Sequence, residues 1–172
     1  MTGVLLVGGA SRRFGSPKAV AELDGEPLAV RVYGTLAEAF PHVIAVGKAE
    51  DALPLPFPVE DDGSDLRAAL VGLVAALRLA PTQLAVVVPT DLPYVTAEYL
   101  HGLAAAAEGV AAAHPESGPL PGAYRKTALS VLERRLGAGE LALRAAAAEL
   151  GARVVPGDDE LLRNVNTPAD LT

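Results

Sequence analysis

The opening segment of the chain concentrates residues that bind anions. A short apolar run leads into a loop that reads GGASRRFGSPK from residue 8 to residue 18, and it carries Arg12, Arg13 and Lys18 before the first acidic residue, Glu22. Glycines let backbone N–H groups approach an anion without obstruction by Cβ, and arginine and lysine form charge-assisted bonds to phosphate oxygens. The loop is therefore a candidate triphosphate site, and a strand-to-helix turn with solvated basic residues is the alternative.

The spacing in this loop matches neither common glycine-rich nucleotide motif. It lacks the GxGxxG pattern of dinucleotide-binding folds, and Lys18 stands three residues after Gly15, whereas a Walker lysine follows its glycine directly. A phosphate site here must therefore be of another type.

Two aspartates follow apolar runs and could hold a cation or a nucleotide. Asp91 comes just after the run LAVVV at residues 84–88, and a carboxylate there could hold Mg²⁺ against triphosphate oxygens. A turn aspartate before Pro93 is the alternative. Asp61 lies in an acidic cluster at residues 60–62, which is equally typical of a solvated loop.

The remaining polar candidates are asparagines and histidines. Asn164 and Asn166 could bind substrate, although asparagine before a helix start is also an ordinary turn residue. His42 and His101 have no Ser or Asp partner that would suggest a catalytic triad, and a role for His114 stays open.

Composition excludes several classes of protein. The chain has 172 residues, a formal charge of −7, a mean hydropathy of +0.31 and no cysteine. It can form no disulfide or thiolate metal site, its apolar runs are too short for a membrane helix, and its acidity argues against broad nucleic-acid binding. The N-terminus lacks the basic region of a secretory signal, so we expect a cytoplasmic protein that contacts neither membrane nor nucleic acid.

Apolar periodicity supplies the elements that must position these residues. Short apolar runs predict strands at residues 3–8, 43–47, 57–60, 84–88, 110–114, 122–124 and 153–155. Helical spacing predicts helices at residues 27–40, 65–80, 96–108, 127–136 and 140–150, with Asp65 and Thr96 as N-caps and a further helix start at Thr167. The alternation predicts an α/β fold with three layers, a mostly parallel sheet covered by helices on both faces.

Four motifs together resemble one family. The run LLVGGASRRFGSPK (residues 5–18), GEPL (25–28), PTDLP (89–93) and NVNTP (164–168) are similar, in the same order, to signature segments of molybdenum cofactor guanylyltransferases, within the wider α/β nucleotidyltransferases. The resemblance spans nearly the whole chain. It implies a Rossmann-like nucleotidyltransferase fold in one domain over residues 1–172, with a nucleotide-binding half at about 1–95 and an acceptor-binding half at about 96–172.

The resemblance also implies an activity. The terminal phosphate of molybdopterin cofactor would attack the α-phosphorus of GTP, with Mg²⁺ as cofactor, and contact with molybdoenzymes or their chaperones would follow. The implied catalytic residues are Arg13, Lys18 and Asp91, and Asp91 is the implied metal ligand. The implied nucleotide-binding residues are Leu6, Val7, Gly8, Gly9, Ser11, Arg13, Lys18, Asp61 and Asp91. The implied acceptor-binding residues are Asn164 and Asn166.

Some positions depart from the family pattern. Val7 and Phe14 replace Ala and Met in the first signature, which keeps both positions apolar, whereas Leu120 and Leu141 replace a histidine and a basic residue in the acceptor-binding half. Related cytidylyltransferases usually carry Ala where this chain has Gly8. A CTP-dependent enzyme, a guanylyltransferase for another phosphorylated acceptor and a nucleotide-binding regulator without turnover remain the alternatives.

Overall fold

The computed structural model describes residues 1–8 and 15–171. Its elements in chain order are β1 (Thr2–Val7), β2 (Glu22–Leu23), β3 (Glu26–Pro27), α1 (Leu28–Ala39), β4 (His42–Gly47), β5 (Val59–Asp61), α2 (Ala69–Leu79), β6 (Leu84–Pro89), α3 (Ala97–Ala106), β7 (Ala112–Pro115), β8 (Gly122–Arg125), α4 (Leu129–Gly137), α5 (Leu143–Glu149) and β9 (Arg153–Val155). Short 3-10 helices cover Lys18–Val20, Ala49–Asp51, Lys126–Ala128 and Pro168–Leu171.

Seven of these strands form one sheet in the order β5-β4-β1-β6-β8-β7-β9. Strand β8 runs antiparallel to β6 and β7, and the other neighbouring strands pair in parallel. The sheet is therefore mostly parallel, as predicted, and its central strand β1 is buried along its whole length.

Helices cover both faces of the sheet. Alternate residues of β1 point to opposite sides: Leu5 belongs to an apolar cluster with α1 and α3, whereas Val4 belongs to a cluster with α2, α4 and α5. This alternation explains why the strands read as continuous apolar runs, because both faces are packed against helices. The predicted three-layer α/β architecture is confirmed.

The predicted start of the second helix is wrong. Helix α2 begins at Ala69 and has no side-chain cap, so Asp65 does not cap it, and Leu66 is exposed. The carbonyls of Ser64 and Leu66 accept hydrogen bonds from the buried Lys48 ammonium. These hydrogen bonds hold residues 64–66 in an irregular loop, and the helix starts only after that loop.

A small hairpin, β2–β3, was not predicted. Its turn residues Asp24 and Gly25 have φ values of 53° and 80°, the left-handed conformation that two-residue hairpin turns require. The Asp-Gly pair was the available signal. Thr96 does cap α3 through its hydroxyl, which accepts from the Tyr99 amide, and Asp170 receives three hydrogen bonds from Asn166 and Thr167 at the start of the last 3-10 helix.

Candidate active site

The site lies where three parallel strands end together. Val7 at the end of β1 pairs with Gly47 at the end of β4, and Leu6 pairs with Pro89 at the end of β6. In open α/β sheets, ligands bind beyond the carboxyl ends of such strands. The carboxyl ends of β1, β4 and β6 therefore meet at one edge of the sheet.

Glycine at position 47 is required by the packing of this edge. A Cβ at Gly47 would lie 2.1 Å from the carbonyl oxygen of Val7, a distance that no side chain tolerates. The absence of a side chain lets β4 approach the end of β1 closely. The position of the end of β1 consequently depends on this glycine.

Three predicted residues from three separate motifs meet at this edge. The Lys18 ammonium donates a hydrogen bond to Asn166 Oδ1 at 3.1 Å and lies 3.7 Å from Asp91 Oδ2. The side chains of Lys18 and Asp91 are 21% and 26% exposed, so solvent reaches part of each. A cation, a carboxylate and an amide oxygen are thus assembled from positions up to 148 residues apart.

Backbone contacts fix this arrangement. The Val165 amide donates to the Asp91 carbonyl at 2.9 Å, and the buried Thr90 hydroxyl donates to the Leu6 carbonyl at 2.9 Å. Val165 is fully buried in a small apolar cluster with Leu23 and Leu28. The C-terminal segment is therefore anchored to the strand-end loops of the first half of the chain.

The Asp91 carboxyl has a perturbed acidity. Partial burial raises its pKa, and the nearby Lys18 charge only partly opposes this effect. A carboxylate removed from water beside one cation gains from a further positive charge, such as a divalent metal. Raised pKa values of this kind are common at functional sites.

The Asp61 carboxylate is bound by backbone amides, although its acidic neighbours suggested an ordinary solvated loop. Its Oδ1 accepts from the Gly63 amide at 2.7 Å, and its Oδ2 accepts from the Ala49 amide at 2.9 Å. These two backbone hydrogen bonds lower the pKa of Asp61. Within the described part of the chain, Asp61 therefore holds the loops after β4 and β5 together.

A pocket extends from this edge over the N-terminal end of α2. Its wall includes Leu6, Gly8, Lys48, Asp62 and Pro89, with Leu120 closing it from the second half of the chain. Gly8 has a φ of 151°, which favours glycine, and a Cβ there would meet none of the described atoms within 4 Å. An alanine at position 8 would consequently be strained by the backbone rather than by a neighbour.

The other predicted residues are placed less centrally. Asn164 is exposed, and the residue that accepts the hydrogen bond from Lys18 is Asn166. Gly9, Ser11 and Arg13 lie outside the described residues. Leu6 and Val7 are buried at the end of β1.

The histidines lie away from this cluster. The His101 ring hydrogen-bonds to the Ala39 carbonyl and lies edge-on to Phe40, which is a packing role. His42 is exposed at the start of β4. His114 is buried at the end of β7, where its Nδ1 contacts the carbonyl oxygen of Pro115.

Two pocket residues were missed by the sequence analysis. Lys48 follows β4 directly, and it forms an ion pair with Asp62 in which both side chains are 7% exposed. Neither residue belongs to a recognised motif. The signal that could have found them was a lysine placed immediately after a strand in an acidic protein, with aspartates after the next strand.

Comparison with protein families decides the relationship that the motifs suggested. Residues 3–156 match the model of the MobA-like NTP transferase domain. The chain belongs to the MobA-like NTP transferase family. Members of this family are nucleotidyltransferases, and the match includes the glycine-containing loop and the Asp91 segment and leaves out residues 1–2 and 157–172.

Relatives with full-length similarity carry consistent names. A probable molybdenum cofactor guanylyltransferase from Aquifex aeolicus is 34% identical over 97% of this chain and 86% of its own length. One from Deinococcus radiodurans is 36% identical over 99% of this chain and 92% of its own length.

Solved structures agree on the fold. Molybdopterin-guanine dinucleotide biosynthesis protein A from Archaeoglobus fulgidus superposes with a TM-score of 0.85 at 29% identity, covering 99% of this chain and 95% of that one. The 2-C-methyl-D-erythritol 4-phosphate cytidylyltransferase from Thermus thermophilus shares the fold, with a TM-score of 0.73 at 18% identity over 98% and 94% of the two chains. Among the described residues, no helix is long and apolar enough to cross a membrane.

Proposed function

We propose that this protein is a molybdenum cofactor guanylyltransferase, which transfers GMP from GTP to molybdopterin cofactor and releases pyrophosphate. The observation that carries the proposal is the meeting of Lys18, Asp91 and Asn166 at the carboxyl edge of the sheet. These residues come from three separate family-like motifs. The names of the full-length relatives support the same activity.

The reaction requires positioning and charge neutralisation rather than a covalent enzyme intermediate. An oxygen of the acceptor phosphate forms a bond to the α-phosphorus of GTP, and the bond from that phosphorus to the bridging oxygen of the β-phosphate breaks. The electron pair leaves with pyrophosphate. Lys18 is placed to neutralise triphosphate oxygens, with Arg13 as a second cation of the same loop.

Nucleotidyltransferases of this kind use a divalent metal, and we assign Mg²⁺ to Asp91. Mg²⁺ is commonly held by one or two carboxylates together with substrate phosphates and water. The partly buried Asp91, with its raised pKa, fits that role, and the Asn166 amide oxygen lies on the same cluster. The described residues contain no group of three or more His, Cys, Asp or Glu side chains that could hold a metal ion. Triphosphate oxygens and water would supply the other ligands of Mg²⁺ held by Asp91. Bound Mg²⁺ would offset the charge that develops on the leaving pyrophosphate.

We assign the acceptor to the second half of the chain, about residues 96–172, and the nucleotide to the first, about 1–95. We further propose that Asn164 and Asn166 bind the acceptor, which is supported by the return of the C-terminal segment to the strand ends of the first half. We expect the product to be handed on to molybdoenzymes or their chaperones in the cytoplasm.

Product identification tests the proposal. The protein is incubated with Mg²⁺, molybdopterin cofactor and each of GTP, CTP, ATP and UTP, and pyrophosphate release and product mass are measured. We expect pyrophosphate and the guanine dinucleotide product with GTP. Preferential turnover of CTP would assign a cytidylyltransferase, and nucleotide binding without turnover would assign a regulator. Either result would refute the proposal.

A further inference from the structure

His114 is a buried imidazole of which only one ring nitrogen has a hydrogen-bond partner. The residue is 9% exposed, and its Nδ1 lies 2.8 Å from the carbonyl oxygen of Pro115. A carbonyl oxygen only accepts hydrogen bonds, so Nδ1 carries the proton of this contact. In the neutral ring, Nε2 therefore presents a lone pair and acts as an acceptor.

The second ring nitrogen of His114 is unpartnered but not sealed off. No described residue donates a hydrogen bond to Nε2. Among residues 1–8 and 15–171, the fully enclosed side-chain atoms without a partner are Arg31 Nε, Tyr99 Oη and Arg135 Nε, and His114 Nε2 is not one of them. Solvent therefore reaches Nε2. Because polar atoms of buried side chains are normally hydrogen-bonded, this acceptor is available to a ligand donor.

The turn after β7 holds the imidazole in place. The Pro115 carbonyl, which accepts from His114, also accepts the Gly118 amide at 3.1 Å. The Arg144 guanidinium donates to the Ser117 carbonyl at 2.6 Å and ties the same turn to α5. A ring that is already fixed loses little conformational freedom when a ligand binds, so the geometry is preorganised for recognition.

His114 lies at the same edge and on the same side of the sheet as the pocket. Strand β8 is antiparallel to both β6 and β7, so β7 ends at the edge where β6 ends. Ala112 and Leu6 belong to the same apolar cluster, and His114, two residues after Ala112, faces the same side of the sheet. Leu120 packs against that cluster and lines the pocket. The imidazole therefore belongs to the part of this edge that the second half of the chain forms.

The distance along the edge suits one end of an elongated acceptor. Only β8 separates β7 from β6 in the sheet, which corresponds to about 10 Å at the usual strand spacing. Asp91 follows β6, and a phosphorylated pterin has its phosphate at one end and its ring system at the other. A phosphate near Asp91 would let the ring system extend along the edge towards β7. The pterin ring carries an amino group and a ring N–H, which are donors, whereas Leu120 offers only apolar contact.

We propose that His114 binds the acceptor by accepting, at Nε2, a hydrogen bond from an N–H donor of the pterin ring. This inference rests on the proposed transfer of GMP to molybdopterin cofactor. His114 recognises the acceptor and takes no part in bond formation at the α-phosphorus. Binding of GTP therefore does not depend on it.

Two amide substitutions separate the roles of the two ring nitrogens. Asparagine places an amide nitrogen near the position of Nδ1 and nothing at Nε2, whereas glutamine carries its amide to the position of Nε2. His114→Asn should raise KM for molybdopterin cofactor by about 5–100-fold, the effect of leaving a buried donor unpaired, with kcat and the Kd for GTP little changed. His114→Gln should lie closer to the wild type. Steady-state kinetics at saturating GTP and Mg²⁺ and equilibrium binding measure these values.

The control removes an imidazole from the opposite edge of the sheet. His42 is exposed at the start of β4, which pairs with the start of β1. His42→Asn should leave KM for molybdopterin cofactor unchanged. Thermal unfolding checks that each variant is folded.

Chemical modification tests the same contact in the wild-type protein and decides the question if the His114 variants do not fold. Diethyl pyrocarbonate acylates unprotonated imidazole nitrogens, and peptide mass spectrometry locates the product. We expect His114 to be modified in the free protein and in the presence of GTP alone, and to be protected by molybdopterin cofactor. The exposed His42 should be modified in all three samples.

The outcomes separate this inference from the proposed function. Unchanged KM and Kd for molybdopterin cofactor in a folded His114→Asn protein, or His114 modification that molybdopterin cofactor does not slow, refutes the inference and leaves guanylyl transfer standing. Equal losses of GTP binding and acceptor binding in both His114 variants would show a purely structural imidazole and would also refute it. A wild-type protein that forms no guanine dinucleotide product refutes the proposed function and this inference with it.

Discussion

At the scale of single residues, the site depends on one cation that contacts both a carboxylate and an amide oxygen. Lys18 contacts both Asn166 and Asp91, and all three are partly open to solvent or exposed. Removing either charge should therefore affect ligands more than it affects the fold. The two substitutions below separate nucleotide binding from metal binding.

Lys18→Ala should weaken GTP binding by about 10–100-fold, because charge-assisted hydrogen bonds are worth roughly 1.5–3 kcal/mol. Equilibrium binding of GTP measures the change. Lys126→Ala is the matched control, since Lys126 follows β8 at the opposite edge of the sheet, where its amide contacts the Gln83 carbonyl. Unchanged GTP affinity in a folded Lys18→Ala protein would remove Lys18 from the triphosphate site.

Asp91→Asn should reduce Mg²⁺-dependent turnover by roughly 10²–10³ or more, because each ~1.4 kcal/mol of lost transition-state stabilisation is a factor of ten. GTP binding without Mg²⁺ should change little, since the amide keeps the shape of the carboxyl. Turnover and Mg²⁺ titrations measure the two effects. Near-normal turnover would mean that another carboxylate holds the metal, with Asp61 the first to test.

Asp91→Asn should not destabilise the metal-free protein. Burial raises the pKa of Asp91, so the folded state keeps this proton to higher pH than the unfolded state does. The free energy of unfolding therefore falls as the pH rises from the pKa of Asp91 in the unfolded state to its higher pKa in the folded state. At neutral pH, above both values, the ionised carboxylate makes the folded protein less stable. The Tm of Asp91→Asn at pH 7 should equal or exceed that of the wild type. A clear fall in Tm would show that the Lys18–Asp91 pair is a net stabilising contact.

At the scale of elements, the close approach of β4 to β1 sets where the first loop begins. The carbonyl of Val7 occupies the space that a side chain at position 47 would need. Strand pairing therefore positions the end of β1, from which this part of the site begins.

Gly47→Ala should destabilise the protein by about 1–3 kcal/mol, the usual effect of overpacking, and should weaken GTP binding as the end of β1 shifts. Gly34→Ala is the control, and it should change the free energy of unfolding in the opposite direction. Gly34 lies within α1 with nothing within 4 Å of an added Cβ, so alanine there should stabilise by roughly 0.5–1 kcal/mol. Denaturant unfolding measures both. A Gly47→Ala protein as stable as the wild type would contradict the close strand approach.

At the scale of the whole molecule, the C-terminal segment completes a site that the first half begins. Val165 is fully buried against Leu23 and Leu28, and its amide contacts the Asp91 carbonyl. The seven-stranded sheet is already complete at β9, before this segment starts. The segment therefore serves the site more than it serves the sheet.

Val165→Ala should cost roughly 1.5–3 kcal/mol of stability, from two lost methyl groups and the cavity they leave, and should also lower turnover because Asn166 and Asp91 lose their common anchor. Val154→Ala is the control, because Val154 is 56% exposed on β9. Equilibrium unfolding and turnover rates measure the two effects. Equal behaviour of the two variants would separate the C-terminal segment from the site.

The sequence by itself determined the layers of the fold and the main parts of the site. Short continuous apolar runs favoured strands buried on both faces, and helical periodicity predicted the covering helices, so the α/β architecture followed from local patterns. Lys18 and Asp91 were identified because each follows a predicted buried strand and lies in a family-like motif, and Asn166 was identified from its motif alone.

Only the tertiary structure decided which of these residues touch and which aspartate faces the pocket. Asp61 and Asp62 are adjacent and chemically identical in the sequence, yet backbone amides use both oxygens of one, and a buried lysine orients the other. The same lysine delays the start of α2 beyond Asp65 by taking the carbonyls of the preceding loop. Such contacts join residues from different strands, and local sequence patterns carry no information about them because they arise only when the strands pair.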